Sequence, residues 1–211
     1  MHINRKFKIN MNLIFSIVLF LYFFLIFLDY LYDVGILRYI NLALSLSVIY
    51  FIFGRVNNNT NSILSILLLV ILMMASSLYN GNKNLFGVLF STSYFLVGII
   101  IIHTKLNYKI FKFSFFIHSV MLLFFLLTNK NANEIFENIS RNYISVIMLM
   151  QYSLLYLSFY MNNKKINMIP SLVVLIVSIL SMGRAGIISA LILFVGNFIL
   201  SIKNHILSIK N

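Results

Sequence analysis

The chain has 211 residues, of which 61% are hydrophobic and only 9% are charged, with a mean hydropathy of +0.98. Soluble domains are roughly 45–50% apolar and about 25% charged, so this composition excludes an ordinary soluble protein. The absence of cysteine excludes disulfides, thiolate zinc sites and iron–sulfur clusters, and the net charge of +12 in so apolar a chain first indicates membrane orientation rather than nucleic-acid binding.

Apolar runs of about 20 residues recur along the whole chain, and they do not alternate with period two as the strands of a membrane barrel do. This pattern predicts an all-α polytopic membrane protein with one helical domain over residues 1–211. The first apolar run is too long for a secretory signal and has no small-residue cleavage site, so we expect it to be an uncleaved span. The predicted spans, about eight in number, cover about residues 11–28, 36–53, 62–79, 86–102, 113–128, 142–160, 167–181 and 184–202.

The distribution of basic residues predicts the orientation of these spans. With the N-terminus in the cytoplasm and eight alternating spans, both termini are cytoplasmic and most of the 16 lysines and arginines lie in cytoplasmic segments. All 4 acidic residues then lie outside. The basic residues that remain on the outer face are Arg38, Lys83, Lys130, Arg141 and Arg184.

Arg184 lies between two apolar runs, in the stretch Ser181-Met182-Gly183-Arg184-Ala185-Gly186. An ionisable group costs about 2.5–3.5 kcal/mol or more at the centre of a membrane helix, so its presence favours a function. A guanidinium binds phosphate through two parallel hydrogen bonds, and the start of the eighth predicted helix favours an anion at the same place. Gly183 and Gly186 would let a phosphate approach the backbone. The alternative is an interfacial arginine that only anchors the helix end among lipid headgroups.

The small residues of this region have a second interpretation. The residues spaced by four along the predicted helix are Ser181, Ala185 and Ser189, with Gly186 and Ala190 one position further on. Such stripes are typical of helix-packing surfaces in membranes, and this interpretation is compatible with either role of the arginine.

Four other polar residues are candidates for a site on the same outer side. Arg141 opens the sixth predicted helix and is a candidate second cation over a pyrophosphate, and an interface anchor fits it equally well. Arg38, before the second span, is a third candidate for substrate binding. Glu134 and Glu137 are the outer carboxylates near Arg141, and they are either a general base or solvated loop charges.

Two of the polar residues inside the predicted spans are candidates for a function. His118 is either a proton relay or a hydrogen-bonding partner of a neighbouring helix. Gln151 most simply forms hydrogen bonds with a neighbouring helix. The chain has no P-loop, zinc motif, Gly-x-Ser-x-Gly elbow or nucleic-acid module. An outward-facing enzyme of this kind would therefore need a substrate that is already activated.

Two short stretches resemble a known family. The residues SMGRAGIISA at 181–190, in which a serine, small residues and an arginine open an apolar helix, resemble the start of the O-antigen ligase / O-antigen polymerase domain. The residues NISRNYIS at 138–145, which head an outer-face helix after a polar loop, are similar to the upstream region of capsule and O-antigen repeat-unit polymerases.

The resemblance implies a membrane glycosyltransferase of the bacterial cytoplasmic membrane that needs no metal or other cofactor. Its substrate would be a polyprenyl-pyrophosphate-linked glycan at the outer leaflet, transferred onto an acceptor sugar during surface-polysaccharide biosynthesis. Arg184, and in second place Arg141, would hold the pyrophosphate leaving group. The expected partners are this glycan, the bilayer and other membrane proteins of polysaccharide assembly, with no nucleic acid.

Two alternatives remain open at this point. One is a polysaccharide flippase or small permease, which predicts polar groups along a path through the membrane. The other is a non-catalytic accessory subunit. Members of the resembled family usually continue into further spans and a large external loop, whereas this chain ends at Asn211, so we expect a short or truncated member.

Overall fold

The computed structural model describes residues 11–53, 60–79, 94, 97–98, 101, 104–128, 132–136, 140–165 and 167–209. Among these residues there are seven α-helices and no strand: α1 (Met11–Tyr32), α2 (Ile36–Phe53), α3 (Thr60–Tyr79), α4 (Tyr108–Thr128), α5 (Asn142–Met161), α6 (Ile169–Leu180) and α7 (Arg184–Ile209). A short 3₁₀ helix at Ala132–Glu134 lies between α4 and α5. The all-α fold class is confirmed. The fourth predicted span, about 86–102, lies mostly outside the described residues.

Three of the described helices are long and apolar enough to cross a membrane: Asn12–Tyr32, Tyr108–Thr128 and Asn142–Met161. Shorter apolar helices lie at Ile36–Ser47, Ile169–Leu180 and Arg184–Ile199. These helices support membrane insertion. The number of about eight spans and the cytoplasmic position of both termini stay predictions.

Local sequence explains where several helices begin and end. Asp33 ends α1 in the left-handed region at φ +46°, which short polar side chains tolerate better than most. Pro170 lies in the first turn of α6, where its missing N–H has no carbonyl partner to lose. Met182, at φ +54°, turns the chain sharply between α6 and α7.

Six of the described helices, namely α1, α2 and α4 to α7, pack into one bundle around α5. This helix contacts α4, α6 and α7, while α1 packs against α2 and α4. The core between them is made of apolar side chains that are completely or almost completely buried, among them Leu122, Ile144, Met148, Leu155, Val174 and Val177.

Lysines collect at one end of the bundle, which we call the lysine end. Here the Asn107 backbone N–H donates to Ser16 Oγ at 2.8 Å, and Asn162 Nδ2 donates to the Leu106 carbonyl at 2.7 Å. These bonds bring the starts of α1 and α4 together with the end of α5. The described lysines of these segments are Lys105, Lys109, Lys112, Lys164 and Lys165.

Arginines and acidic residues collect at the opposite end, which we call the arginine end. The Tyr30 ring lies 5.9 Å from the Tyr143 ring and 6.1 Å from the Phe136 ring, measured between centroids. These contacts join the last turn of α1, the segment after the 3₁₀ helix and the first turn of α5. The starts of α2 and α7 lie at the same end. The described lysines and the described acidic residues therefore lie at opposite ends of the bundle. Such an asymmetry is expected if the two ends face different sides of a membrane.

Candidate functional site

The starts of α5 and α7 are in direct contact. A Cβ placed on Gly183 would lie 3.1 Å from Asn142 Oδ1 and 3.2 Å from Ser145 Oγ. A Cβ on Gly186 would overlap the Ser145 side chain. The close approach of the two helices therefore depends on small residues at both positions.

A serine pair closes the same contact. The hydroxyls of Ser145 and Ser181 lie 2.9 Å apart, and both residues are buried. Ser181 Oγ also donates to the Ser178 carbonyl at 3.0 Å, so its proton is already used and Ser145 is the donor within the pair. The bond ties α5 to the end of α6, immediately before the turn that leads into Arg184.

This contact brings Arg141 and Arg184 to adjacent helix starts. Arg141 immediately precedes α5 and is partly exposed, and Arg184 is the first residue of α7 and is exposed. Each helix start presents backbone N–H groups without intrahelical partners, and each adds the positive end of a helix dipole. Arginines at two adjacent helix starts add their charge to the positive ends of the helix dipoles, a combination suited to an anion.

The glycines of this region have a packing role. Gly183 and Gly186 are both buried, and α5 fills the side on which a Cβ would lie. The structure thus favours the interpretation of the small-residue stripe as a helix-packing surface. Direct contact of either glycine with a phosphate stays a prediction.

Arg38 forms a double ion pair at the arginine end. Its Nε donates to Asp29 Oδ2 at 2.8 Å, and its Nη2 donates to Asp33 Oδ1 at 2.7 Å. Asp29 is buried, with 6% of its surface exposed, whereas Asp33 and Arg38 are exposed. Two of the Arg38 donors are therefore already bonded to carboxylates of its own chain. This makes Arg38 a weaker candidate than Arg141 or Arg184 for binding a free anion.

Asp29 is a residue that the sequence analysis did not select. The first predicted span ends at about residue 28, but α1 continues through Tyr32 and carries Asp29 inside its last turn. The sequence contains a signal for this ion pair, because two of the 4 acidic residues of the chain precede Arg38 across one short turn. Of the predicted candidate bases, Glu134 is exposed at the arginine end and Glu137 lies outside the described residues.

A small cavity adjoins the Arg38 ion pairs. Its volume is about 150 Å³, and its lining comes from α1, α2 and Tyr94. The lining residues are Tyr22, Ile26, Asp29, Tyr30, Arg38, Asn41 and Tyr94.

A polar cluster in the middle of the bundle joins α4 to α5. Ser114 Oγ donates to Gln151 Oε1 at 2.8 Å, and His118 Nδ1 lies 2.8 Å from the Ser114 carbonyl. Because a carbonyl only accepts, Nδ1 carries the proton and His118 Nε2 accepts from Gln151 Nε2 at 3.4 Å. All three residues are buried. The expected interhelical hydrogen bonding of Gln151 is present, and His118 takes part in it.

An open groove lies deeper between α5 and α7. It has a volume of about 530 Å³ and is mainly apolar, with a hydrogen bond from Asn197 to the Tyr152 hydroxyl in its wall. Its lining residues are Tyr152, Ser153, Tyr156, Leu157, Leu193, Gly196 and Asn197. The groove lies between α5, which Arg141 immediately precedes, and α7, which begins at Arg184.

Comparison with protein-family models, characterised proteins and solved structures finds no match to this chain. Within the described residues, no group of three or more His, Asp or Glu side chains has an arrangement that could hold a metal ion. The functional argument therefore depends on the geometry of the arginine end and of the groove below it.

Proposed function

We propose that this chain is a membrane glycosyltransferase of the oligosaccharide polymerase or ligase type. It transfers polyprenyl-pyrophosphate-linked repeat units at the outer leaflet during surface-polysaccharide biosynthesis. The observation that carries the proposal is the direct contact between the starts of α5 and α7, which brings Arg141 and Arg184 to one surface.

A pyrophosphate leaving group fits this surface by charge and by geometry. Two phosphoryl groups offer oxygens to two guanidiniums, each of which donates through a planar fork. Charge grows on the leaving pyrophosphate as the bond to the sugar breaks, so cations already held in place stabilise the transition state more than the ground state. Arg184 and Arg141 are preferred to Arg38 for this contact, because the Arg38 guanidinium is engaged with Asp29 and Asp33.

The groove between α5 and α7 supports a lipid-linked substrate. At 1.5 Å per residue, Tyr152 lies about 16 Å below Arg141 along α5, and Asn197 about 20 Å below Arg184 along α7. A prenyl chain whose pyrophosphate contacts the arginines would reach the groove, and isoprene units suit its apolar walls.

The buried polar cluster argues against the flippase or permease alternative. A transport path needs polar groups that face a continuous opening through the membrane. Ser114, His118 and Gln151 are instead enclosed and bonded to one another. The proposed enzyme has no need of them for chemistry, and they serve to hold α4 against α5.

Replacement of Arg184 tests the proposal in a strain that produces its glycan through this chain. Arg184→Ala and Arg184→Lys should each abolish or shorten the long glycan chains, because lysine keeps the charge but loses the two-pronged geometry. The measurement is the size distribution of the surface glycan, together with the position of lipid-linked repeat units.

Lys165→Ala is the matched control, since this exposed lysine lies at the opposite end of the bundle. It should leave the glycan unchanged. Long chains that survive both Arg184 replacements would end the enzymatic proposal. Repeat units that accumulate on the inner rather than the outer leaflet would support transport instead.

A further inference from the structure

The cavity beside Arg38 contains two buried acceptors without partners. Asp29 Oδ1 and Asn41 Oδ1 are both buried and have no hydrogen-bond partner among the described residues. Their residues are 6% and 5% exposed, and both line the cavity. Native structures leave few such groups unpaired, because each costs free energy when it is removed from water without a new bond.

The two acceptors come from different helices. Asp29 lies in the last turn of α1 and Asn41 in the second turn of α2, so they face the cavity from two sides. Hydrogen bonds between α1 and α2 do not satisfy them. A ligand in the cavity that carries at least two donors would do so.

The other lining groups narrow the class of ligand. Tyr22, Tyr30 and Tyr94 add ring surfaces and hydroxyls, and Arg38 adds a guanidinium to the wall. A cation would compete with Arg38 for the Asp29 carboxylate, and an anion would be repelled by that carboxylate. A neutral ligand with several hydroxyls finds donors, acceptors and aromatic surface in the same space.

The volume limits the size of this ligand. A cavity of about 150 Å³ holds one six-membered ring such as benzene. Arg38 in its wall is about half exposed, so substituents on such a ring can extend past this side chain toward the solvent.

We infer that this cavity binds a single pyranose ring, with Asp29 and Asn41 accepting hydrogen bonds from its hydroxyls. The inference deepens the proposed function, on which it rests: the ring would be the acceptor sugar. Contacts between Tyr30 and Tyr143 place the cavity next to the start of α5, and therefore on the same end of the bundle as Arg141. An acceptor held there lies beside the pyrophosphate-linked donor.

Saturation-transfer NMR on the purified full chain in nanodiscs tests the inference. The probes are methyl α-glucopyranoside, methyl β-galactopyranoside and methyl N-acetyl-β-glucosaminide, with choline as a cationic probe of comparable size. At least one glycoside should bind. Asn41→Leu should weaken that binding about tenfold, the usual effect of losing one buried hydrogen bond to a ligand. Lys165→Ala and Arg184→Ala should leave it unchanged.

Asn41→Leu is the decisive variant because it does not threaten the fold. It replaces an unpartnered buried amide with an apolar side chain of similar size, so the unfolding temperature should stay the same or rise. Asp29→Asn is the second variant and should also weaken glycoside binding. Absence of glycoside binding, choline binding that depends on Asn41, or glycoside binding that survives Asn41→Leu would each overturn the inference.

The inference and the proposed function fail in different ways. If Arg184→Ala shortens the glycan but Asn41→Leu leaves glycoside binding and glycan length unchanged, the enzyme stands and the sugar cavity is wrong. If Asn41→Leu abolishes glycoside binding while both Arg184 variants make long chains, the cavity is a sugar site and the polymerase assignment is wrong.

Discussion

Gly186 of α7 lies directly on Ser145 of α5, so close that a methyl group on the glycine would overlap the serine side chain. This contact sets the distance between the two helix starts that carry Arg184 and Arg141. The serine is held in turn by Ser181, at 2.9 Å between hydroxyls. The spacing of the two arginines is therefore a property of helix packing and not of a flexible loop.

Gly186→Ala should separate the two helix starts and destabilise the bundle. The added methyl group meets Ser145 and forces a backbone shift, which costs about 1–3 kcal/mol in a packed interior. Thermal unfolding of the purified chain in detergent measures this loss. Gly196→Ala is the control, because a Cβ at that position meets nothing within 4 Å.

A second substitution shows whether the contact itself is responsible. Ser145→Gly removes the side chain that the alanine would strike, so the double variant should recover part of the stability lost in Gly186→Ala. Purely additive effects of the two substitutions would show that the contact does not set the helix spacing.

Loss of the Arg38 side chain should lower the free energy of unfolding more than loss of the exposed Asp33 charge. Arg38→Ala leaves the Asp29 carboxylate buried without its partner, which we expect to cost about 1–3 kcal/mol because the arginine is half exposed. Asp33→Asn breaks an exposed pair and should cost at most about 1 kcal/mol. Chemical or thermal unfolding gives the order, and equal effects of the two variants would contradict it.

Hydrophobic runs predicted the fold class well because they report directly on burial in lipid or protein. The helices nevertheless extend beyond the runs. Helix α4 begins at Tyr108, about five residues before the predicted span, and includes Lys109 and Lys112 in its first turns. These lysines are exposed, where they stay hydrated and cost the helix little, so hydropathy alone placed the start of the span too late in the chain.

The candidate site was only partly predictable. Arg141 and Arg184 were selected because a charge next to an apolar run is expensive, a rule that needs no knowledge of neighbours. Asp29 and Asn41 owe their importance to a cavity between two helices, and no local pattern reports such a cavity. The contact of Gly186 with Ser145 was predictable only in part. A small-residue stripe predicts a packing face, but it does not identify the helix that packs against it.

Gln151→Leu should lower the stability of the bundle without changing glycan length. The change leaves Ser114 and His118 without their side-chain partner on α5, and interhelical hydrogen bonds of this kind are worth about 0.6–1.7 kcal/mol in membranes. Unfolding in detergent gives the stability, and glycan length gives the activity. Ser47→Ala is the control, because this exposed hydroxyl on α2 donates to the Leu44 carbonyl of its own helix and does not line the groove.

The same cluster separates a structural histidine from a proton relay. If His118 only holds α4 against α5, His118→Asn should leave glycan length unchanged across a range of external pH values. A loss of activity that depends on pH, in a variant with normal unfolding temperature, would favour the relay.

Filling the groove between α5 and α7 should interfere with a lipid-linked substrate. Gly196→Leu adds a side chain to open space in the groove wall, so the fold should tolerate it while a prenyl chain loses room. We expect shorter glycan chains and accumulated lipid-linked repeat units at the outer leaflet. Ser201→Leu adds comparable bulk to an exposed part of the same helix outside the groove lining and should leave both unchanged. Equal effects of the two variants would exclude the groove as the binding site.

The arginine end should face outward if the proposed chemistry is right. The chain has no cysteine, so a single introduced thiol reports its own position without background. Ser140→Cys places an exposed thiol at the arginine end, and Lys165→Cys places one at the lysine end. A membrane-impermeant maleimide should label Ser140→Cys on intact cells, and Lys165→Cys only after permeabilisation. The reverse pattern would put both arginines on the cytoplasmic side, where an outer-leaflet pyrophosphate cannot reach them, and the polymerase proposal would then be wrong whatever the effect of replacing Arg184.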